Sequence, residues 1–409
     1  MSSASDSRQL WVRLFLPFAA GYFLSYLFRT ANAVIGPVLA RELGLGDNAL
    51  GLLTSTYFLA FGAAQLPLGM LLDRFGPRRV EAALLVLAAA GAAAFAWSDT
   101  LAGLAAGRAL IGLGVSACLM ASFKAFSQWF PPERQASLTG WIMASGGLGA
   151  LAAAKPLEMA LGFAGWREIM LALAVVTLCV AATIAWFVPD KASDGKGAGF
   201  AEQLAGVRQV FVSRHFWRYA PMAFWVTGGF MAVQGLWATR WMSVIEQMDG
   251  AAIAARLTWI SGAMLAGFLF MGFFATALVR RGVKLERVYL FAMVAAIASL
   301  ASLALFPTHG GNWLWPLLGA CFSLSNIAYS LVALAFPSAL SGRANTALNL
   351  LAFAGAFGLQ WGFGALVDIL QASGLAADGA YRAALFTLLA GQLAAFAWLV
   401  VSGRRVNPT

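Results

Sequence analysis

Four basic residues interrupt stretches that are otherwise apolar: Arg29, Arg108, Lys124 and Lys155. A cation in hydrocarbon costs about 2.5–3.5 kcal/mol to insert, so such a residue lines a cavity, meets a charged partner or reaches back to the surface. Tyr22, Ser25, Arg29 and Asn32 follow one another at spacings of three, four and three, which places them on one face of a helix. A guanidinium set among hydroxyl and amide groups suits an anionic ligand. Arg29 is therefore expected to contact substrate, against the plainer reading of an arginine that pins backbone carbonyls. Lys124 precedes the WFPPER turn (129–134) and either snorkels to the surface or serves an inner gate. Lys155 stands before Pro156 with Glu158 three residues on, so a local ion pair competes with a role at the substrate.

Further polar stripes are weaker signals. Asn345, Asn349 and Gln360 can share one helix face, as can Ser323, Asn326 and Ser330. Such groups either join helices by hydrogen bonds or touch a ligand. Tyr57, Gln65, Trp237, Tyr329 and Trp361 are candidate cavity residues, although most of the 15 Trp must belong to packing and interfacial belts. Acidic residues are expected outside the membrane centre: Asp73 in a loop, Glu158 and Asp368 near outer helix ends, the others in loops. The buried charge is thus cationic, which fits an anionic substrate and counts against a cation-extruding pump. The two histidines, His215 and His309, are 94 residues apart, and the three cysteines sit singly in apolar runs. With no Walker loop and no G-x-S-x-G, neither a metal, a nucleotide nor any other cofactor is predicted, and the chain does not read as an enzyme.

The elements that must position these residues follow from composition. Of 409 residues, 61% are hydrophobic and 11% charged, against roughly 25% charged in soluble domains. Twelve membrane spans of about 20 residues would use about 240 of them. Apolar runs place twelve helices at 11–38, 49–71, 80–98, 101–128, 136–157, 168–189, 217–240, 254–279, 288–307, 312–336, 344–368 and 380–402. The longest polar gap divides them into a six-helix bundle (1–189), a cytoplasmic linker (190–216) and a second six-helix bundle (217–409). With the N-terminus inside, 18 Lys and Arg fall on the cytoplasmic side and 5 on the other, so both termini are predicted cytoplasmic. The net charge of +10 is explained by that asymmetry and needs no nucleic acid. The halves echo each other: Arg74-Phe75-Gly76 and Arg280-Arg281-Gly282, and Phe130-Pro131 and Phe336-Pro337, are both offset by 206. Parallel repeats of this kind put the substrate site between the halves near mid-membrane.

The segment Gly69-Met70-Leu71-Leu72-Asp73-Arg74-Phe75-Gly76-Pro77-Arg78-Arg79 resembles the G-x-x-x-D-R-x-G-R-[KR]-[KR] signature of the major facilitator superfamily, with Pro77 at a position often basic. Arg108-Ala109-Leu110-Ile111-Gly112-Leu113-Gly114 resembles that superfamily's R-x-x-x-G-x-G element. The resemblance implies an all-α membrane protein of twelve helices in two pseudo-symmetric bundles, monomeric in lipid. Gly69, Asp73, Arg74, Gly76, Arg78 and Arg79 are then expected to form a conformational latch, and Arg108 to serve helix packing or proton coupling. The first span and the stretch 123–149 look most like bacterial permeases for organic anions, sugar phosphates and nitrate. The expectation is a secondary transporter of the bacterial inner membrane that imports a small organic anion, by proton symport or exchange. A proton-driven exporter of drugs or metabolites, and a sensor without flux, are the competing readings.

Overall fold

The computed structural model describes residues 11–130, 132–190, 200–306 and 311–406, and every regular element among them is helical. The first half runs α1 (Leu16–Leu43), α2 (Asp47–Trp97), α3 (Leu101–Gly114), α4 (Cys118–Trp129), α5 (Pro132–Ala152), α6 (Lys155–Leu161) and α7 (Trp166–Phe187). Then α8 (Phe200–Val212) leads to α9, a continuous run over 214–244 with π-helical segments Ala223–Gly228 and Val233–Trp237. The second half continues with α10 (Gly250–Arg280), α11 (Leu285–Leu305), α12 (Gly311–Ser325), α13 (Ile327–Ala333), α14 (Ser338–Ala372) and α15 (Ala377–Val406). The predicted linker thus contains a helix; residues 191–199 and His309 lie outside the described residues.

Local chemistry explains the breaks. Gly44 closes α1 with φ 64°, its N–H bonded to Ala40 O, the left-handed cap that only glycine adopts without strain. The Thr100 hydroxyl accepts from the Gly103 N–H and starts α3. Within α2, Gly76 has φ 78° and ψ 158°, which bends the run into limbs 47–75 and 77–97. Gly282, its partner in the duplicated sequence, has φ 80°. The two halves therefore turn their corresponding corners with the same glycine conformation.

Among the described residues, nine helices are long and apolar enough to cross a membrane. The predicted spans 49–71, 136–157 and 217–240 fall on helical segments outside these nine. Protein shields part of them: every residue of α9 from Val226 to Thr239 is buried. A helix enclosed by neighbours needs no uniformly apolar surface.

Glycines set the packing. Gly91, Gly107 and Gly114 seat α3 and the following turn against Ile111, Phe95 and Ala88, fixing an antiparallel register between α3 and the second limb of α2. Gly149 brings α5 onto the Phe23 carbonyl of α1, and Gly355 brings α14 onto the Phe224 carbonyl of α9. Small residues permit this approach where lipid supplies no hydrophobic drive between helices. The halves meet along α2 against α14 and α5 against α10. Gly149→Val should overpack the α1–α5 contact and destabilise the protein by about 1–3 kcal/mol. Thermal unfolding in detergent should show a lower Tm, while Gly362→Ala, which meets open space, should leave it unchanged.

Candidate substrate site

Arg29 sits midway along α1 and is only 7% exposed. Its guanidinium lies 4.3 Å from the ring centroid of Tyr26, 5.5 Å from Phe61 on α2 and 5.3 Å from Phe353 on α14. Phe61 and Phe353 stack on each other across the two halves at 4.1 Å. Cation–π contacts are worth up to about 2 kcal/mol each when desolvated, enough to offset the insertion cost of the charge. They do not neutralise it. Among the described residues no carboxylate pairs with Arg29, and its Nε has no hydrogen-bond partner.

An amide network lies one turn further along the same seam. Asn349 Nδ2 donates to Gln65 Oε1 at 3.2 Å, Tyr329 Oη donates to Asn349 Oδ1 at 2.8 Å, and Gln65 Nε2 donates to the Phe61 and Ser116 carbonyls. One turn before Asn349 on α14, the buried Asn345 Oδ1 has no partner. The seam therefore combines one uncompensated cation, three aromatic faces and a set of neutral hydrogen-bonding groups. That combination suits an anion with a polar body.

The predicted polar stripe on α1 divides. Arg29 faces the seam, but Ser25 Oγ donates to Val115 O at 3.4 Å and the Ser25 carbonyl accepts from Tyr57 Oη. Asn32 Nδ2 donates to Thr54 Oγ1 at 2.6 Å. Tyr22 Oη reaches Met143 Sδ at 3.7 Å, and its ring meets Tyr26 edge-on. These groups join helices within the first half. Arg108 does so too: its Nη1 donates to Phe28 O at 2.9 Å beneath the Tyr57 ring, which ties α3 to α1 next to Arg29. Lys155 Nζ pairs with Glu158 at 2.6 Å, while the Lys155 N–H donates across the halves to Thr258. Lys124 is half-buried on α4. Asn326 donates to the nearby Ser323 carbonyl at the joint between α12 and α13.

Gln360 and Trp361 belong to a closure at the end predicted to face outward. The Gln360 side chain is enclosed with both amide atoms unpartnered, and its carbonyl accepts from Trp237 Nε1. Trp361 Nε1 donates to Asn48 Oδ1 at 2.7 Å, and the Asn48 N–H donates to Asp368. Asp47, expected in a loop, is buried at the start of α2. It takes Arg240 at 2.5 Å and the Tyr381 hydroxyl at 2.5 Å, so one carboxylate joins α2 to α9 and α15. The opposite end of the α2–α14 seam differs. Gly69 and Gly342 are exposed and a side chain at either would meet open space.

The signature segment is anchored within its own half. Arg78 donates to the Ala185 carbonyl at the end of α7, Arg79 pairs with Asp190 at 3.0 Å, and Arg74 lies over Phe75. Asp73's side chain lies outside the described residues. Reasoning from sequence did not single out Tyr26, Phe61, Phe353 or Asp47. A usable signal existed for the phenylalanines: Phe61 precedes Gln65 by four, and Phe353 follows Asn349 by four, so each shares a helix face with a flagged amide.

The sequence profile of the Major Facilitator Superfamily matches residues 18–359, and the chain belongs to that family. Nine helices among its described residues are long and apolar enough to cross a membrane, as that family requires. Its relatives include a probable sulfoacetate transporter of Cupriavidus necator, 27% identical over 41% of this chain and 39% of that one. A probable L-galactonate transporter of Escherichia coli is 30% identical over 44% and 39%, and a putative tartrate transporter of Agrobacterium vitis 22% identical over 73% and 64%. The matches thus span about two-fifths of the length of the first two of these relatives. Among solved structures, a bacterial homologue of the lysosomal transporter Spinster superimposes with a TM-score of 0.73 at 16% identity over 96% of both chains. A D-xylose–proton symporter gives 0.71 at 14% identity over 95% and 97%. These structures establish the shared fold.

Gly69→Leu should leave thermal stability unchanged, because nothing packs there in this arrangement. It should slow transport about tenfold or more by opposing closure of the inner end, a penalty typical of conformational coupling. Parallel unfolding and uptake measurements check both halves of that expectation.

Proposed function

We propose that this protein is a twelve-helix secondary transporter of a bacterial inner membrane that imports a small organic anion by alternating access, with both termini cytoplasmic. The observation that carries the reading is the uncompensated Arg29 guanidinium at the seam between the halves. Relatives named for sulfoacetate, L-galactonate, hexuronate and tartrate support the same substrate class. All four are organic anions, and galactonate, hexuronate and tartrate also carry hydroxyl groups, which match the Gln65–Asn349–Tyr329 network beside Arg29.

Arg29 takes the anionic group against the aromatic faces of Tyr26, Phe61 and Phe353. The amide network reads the rest of the molecule. Since the Phe61–Phe353 stack and the Gln65–Asn349 bond both join the halves, a bound anion touches both and biases the equilibrium between outer-closed and inner-closed states. Import of an anion against an inside-negative potential costs about 2.3 kcal/mol per charge per 100 mV. The cycle therefore needs a compensating proton or an exchanged anion.

Galacturonate, galactonate and tartrate should raise the Tm of the purified protein, since ligands that bind only the folded state stabilise it. Removing one side of a buried charge contact costs about 2–5 kcal/mol, so Arg29→Ala should abolish that stabilisation and reduce uptake by about 100-fold while leaving membrane insertion intact. Stabilisation by cationic drugs alone, or unaltered anion uptake by Arg29→Ala, would overturn the assignment and make export the better reading.

A further inference from the structure

Glu81 is an acidic side chain enclosed in the first bundle. It lies near the start of the second limb of α2, is 0% exposed, and neither carboxylate oxygen has a hydrogen-bond partner. Its position beside Arg78 and Arg79 in the sequence suggests a solvated loop, but the structure turns it inward. Gly21 of α1 lies directly on the carboxyl group, so that even a Cβ at that position would collide with Glu81 Oε1. The Cys118 thiol faces it from α4 and is itself fully buried. Tyr22 adjoins Gly21 on α1, and Arg29 follows eight residues along that helix, about 12 Å at 1.5 Å per residue. α7 also packs on α2, but its charged residues, Arg167 and Glu168, are at its far, outer end. No cation pairs with Glu81 among the described residues.

An ionised carboxylate cannot be kept in such a place: with no counter-ion and only the weakly donating Cys118 thiol beside it, the charge would be neutralised instead. A purely structural site would be better served by an apolar side chain of similar volume. We propose that Glu81 is a proton-binding site of the transport cycle: it takes up its proton while the outer end is open, is covered by α1 in the outer-closed state seen here, and releases the proton to the inner side when α1 moves off it. The proposal rests on the anion-import reading for its role in coupling. The reaction is the reversible protonation of one carboxylate by water-borne protons, without any other bond change. α1 supplies the link, because the helix that covers Glu81 also carries Arg29. An anion at Arg29 cancels the positive charge along the helix and makes a proton at Glu81 easier to hold. By reciprocity the proton favours the anion, and a singly charged anion such as galacturonate then enters with its proton without net charge.

Two measurements test this, and only the second uses substrate. Infrared difference spectroscopy of the full-length protein in lipid should show the C=O stretch of a buried protonated carboxyl group that disappears as pH is raised. Glu81→Gln should lack that band and Glu81→Asp should displace it, the aspartate serving if the glutamine variant does not fold. In proteoliposomes with galacturonate as the probe, a one-unit pH gradient can drive at most about tenfold accumulation per proton. Wild type should approach that ratio and Glu81→Gln should fall to equilibration, with galacturonate counterflow retained. An identical band in wild type and Glu81→Gln, a band unresponsive to pH wherever the protein stays folded, or pH-driven accumulation intact in Glu81→Gln would each overturn the proposal. Failure of wild type to move galacturonate would count against the anion reading for that probe, while the infrared band would still decide whether Glu81 binds a proton.

Discussion

A guanidinium in the low-dielectric centre of a membrane protein must be stabilised, and the way Arg29 is held without a counter-ion organises the rest of the structure. Aromatic faces from both halves hold it without neutralising it. A carboxylate in the same place would have made Arg29 a fixed strut. Aromatic rings instead leave the charge available, and because Phe61 and Phe353 come from different halves, an anion bound there as proposed would tie its occupancy to how the halves sit. Arg108 contributes from behind by fastening α3 to the Phe28 carbonyl, so the α1 backbone is held immediately before the residue that carries the charge.

Much of this was legible in the chain. Composition and run length demanded spans, the duplicated corner at Gly76 and Gly282 declared two halves, and an arginine within an apolar run marked α1. What the spacing could not resolve was which neighbour claims each residue of a stripe. Ser25, Arg29 and Asn32 share one face of α1, yet a helix face is broad enough to meet two neighbours. Ser25 is taken by the turn after α3 and Asn32 by α2, which leaves Arg29 to the seam. Glu81 illustrates the opposite failure. Its sequence neighbours are loop arginines, and its burial depends on Gly21, 60 residues earlier, lying across it. A contact of that kind is set by tertiary packing and leaves no periodic trace.

The two ends of the seam are built differently, and under the proposed alternating-access cycle that difference would let one site serve two sides. At the outer end Asp47 binds Arg240 and Tyr381, which belong to the other half. Because Asp47 is buried, removing one of its partners would leave a charge that water does not reach, so the three residues hold that end together as a unit. At the inner end the signature arginines Arg78 and Arg79 hold α2 to the end of α7 within one half. In this arrangement both contacts lie within one half. With Gly69 and Gly342 leaving space between α2 and α14, the inner end has room to close without removing a side chain. The same rocking motion that would close it must strain the Gln65–Asn349 bond and the Phe61–Phe353 stack, the contacts a substrate would share. The energetic decision between the two states thus falls on a small group of residues around Arg29, where binding a ligand can tip it.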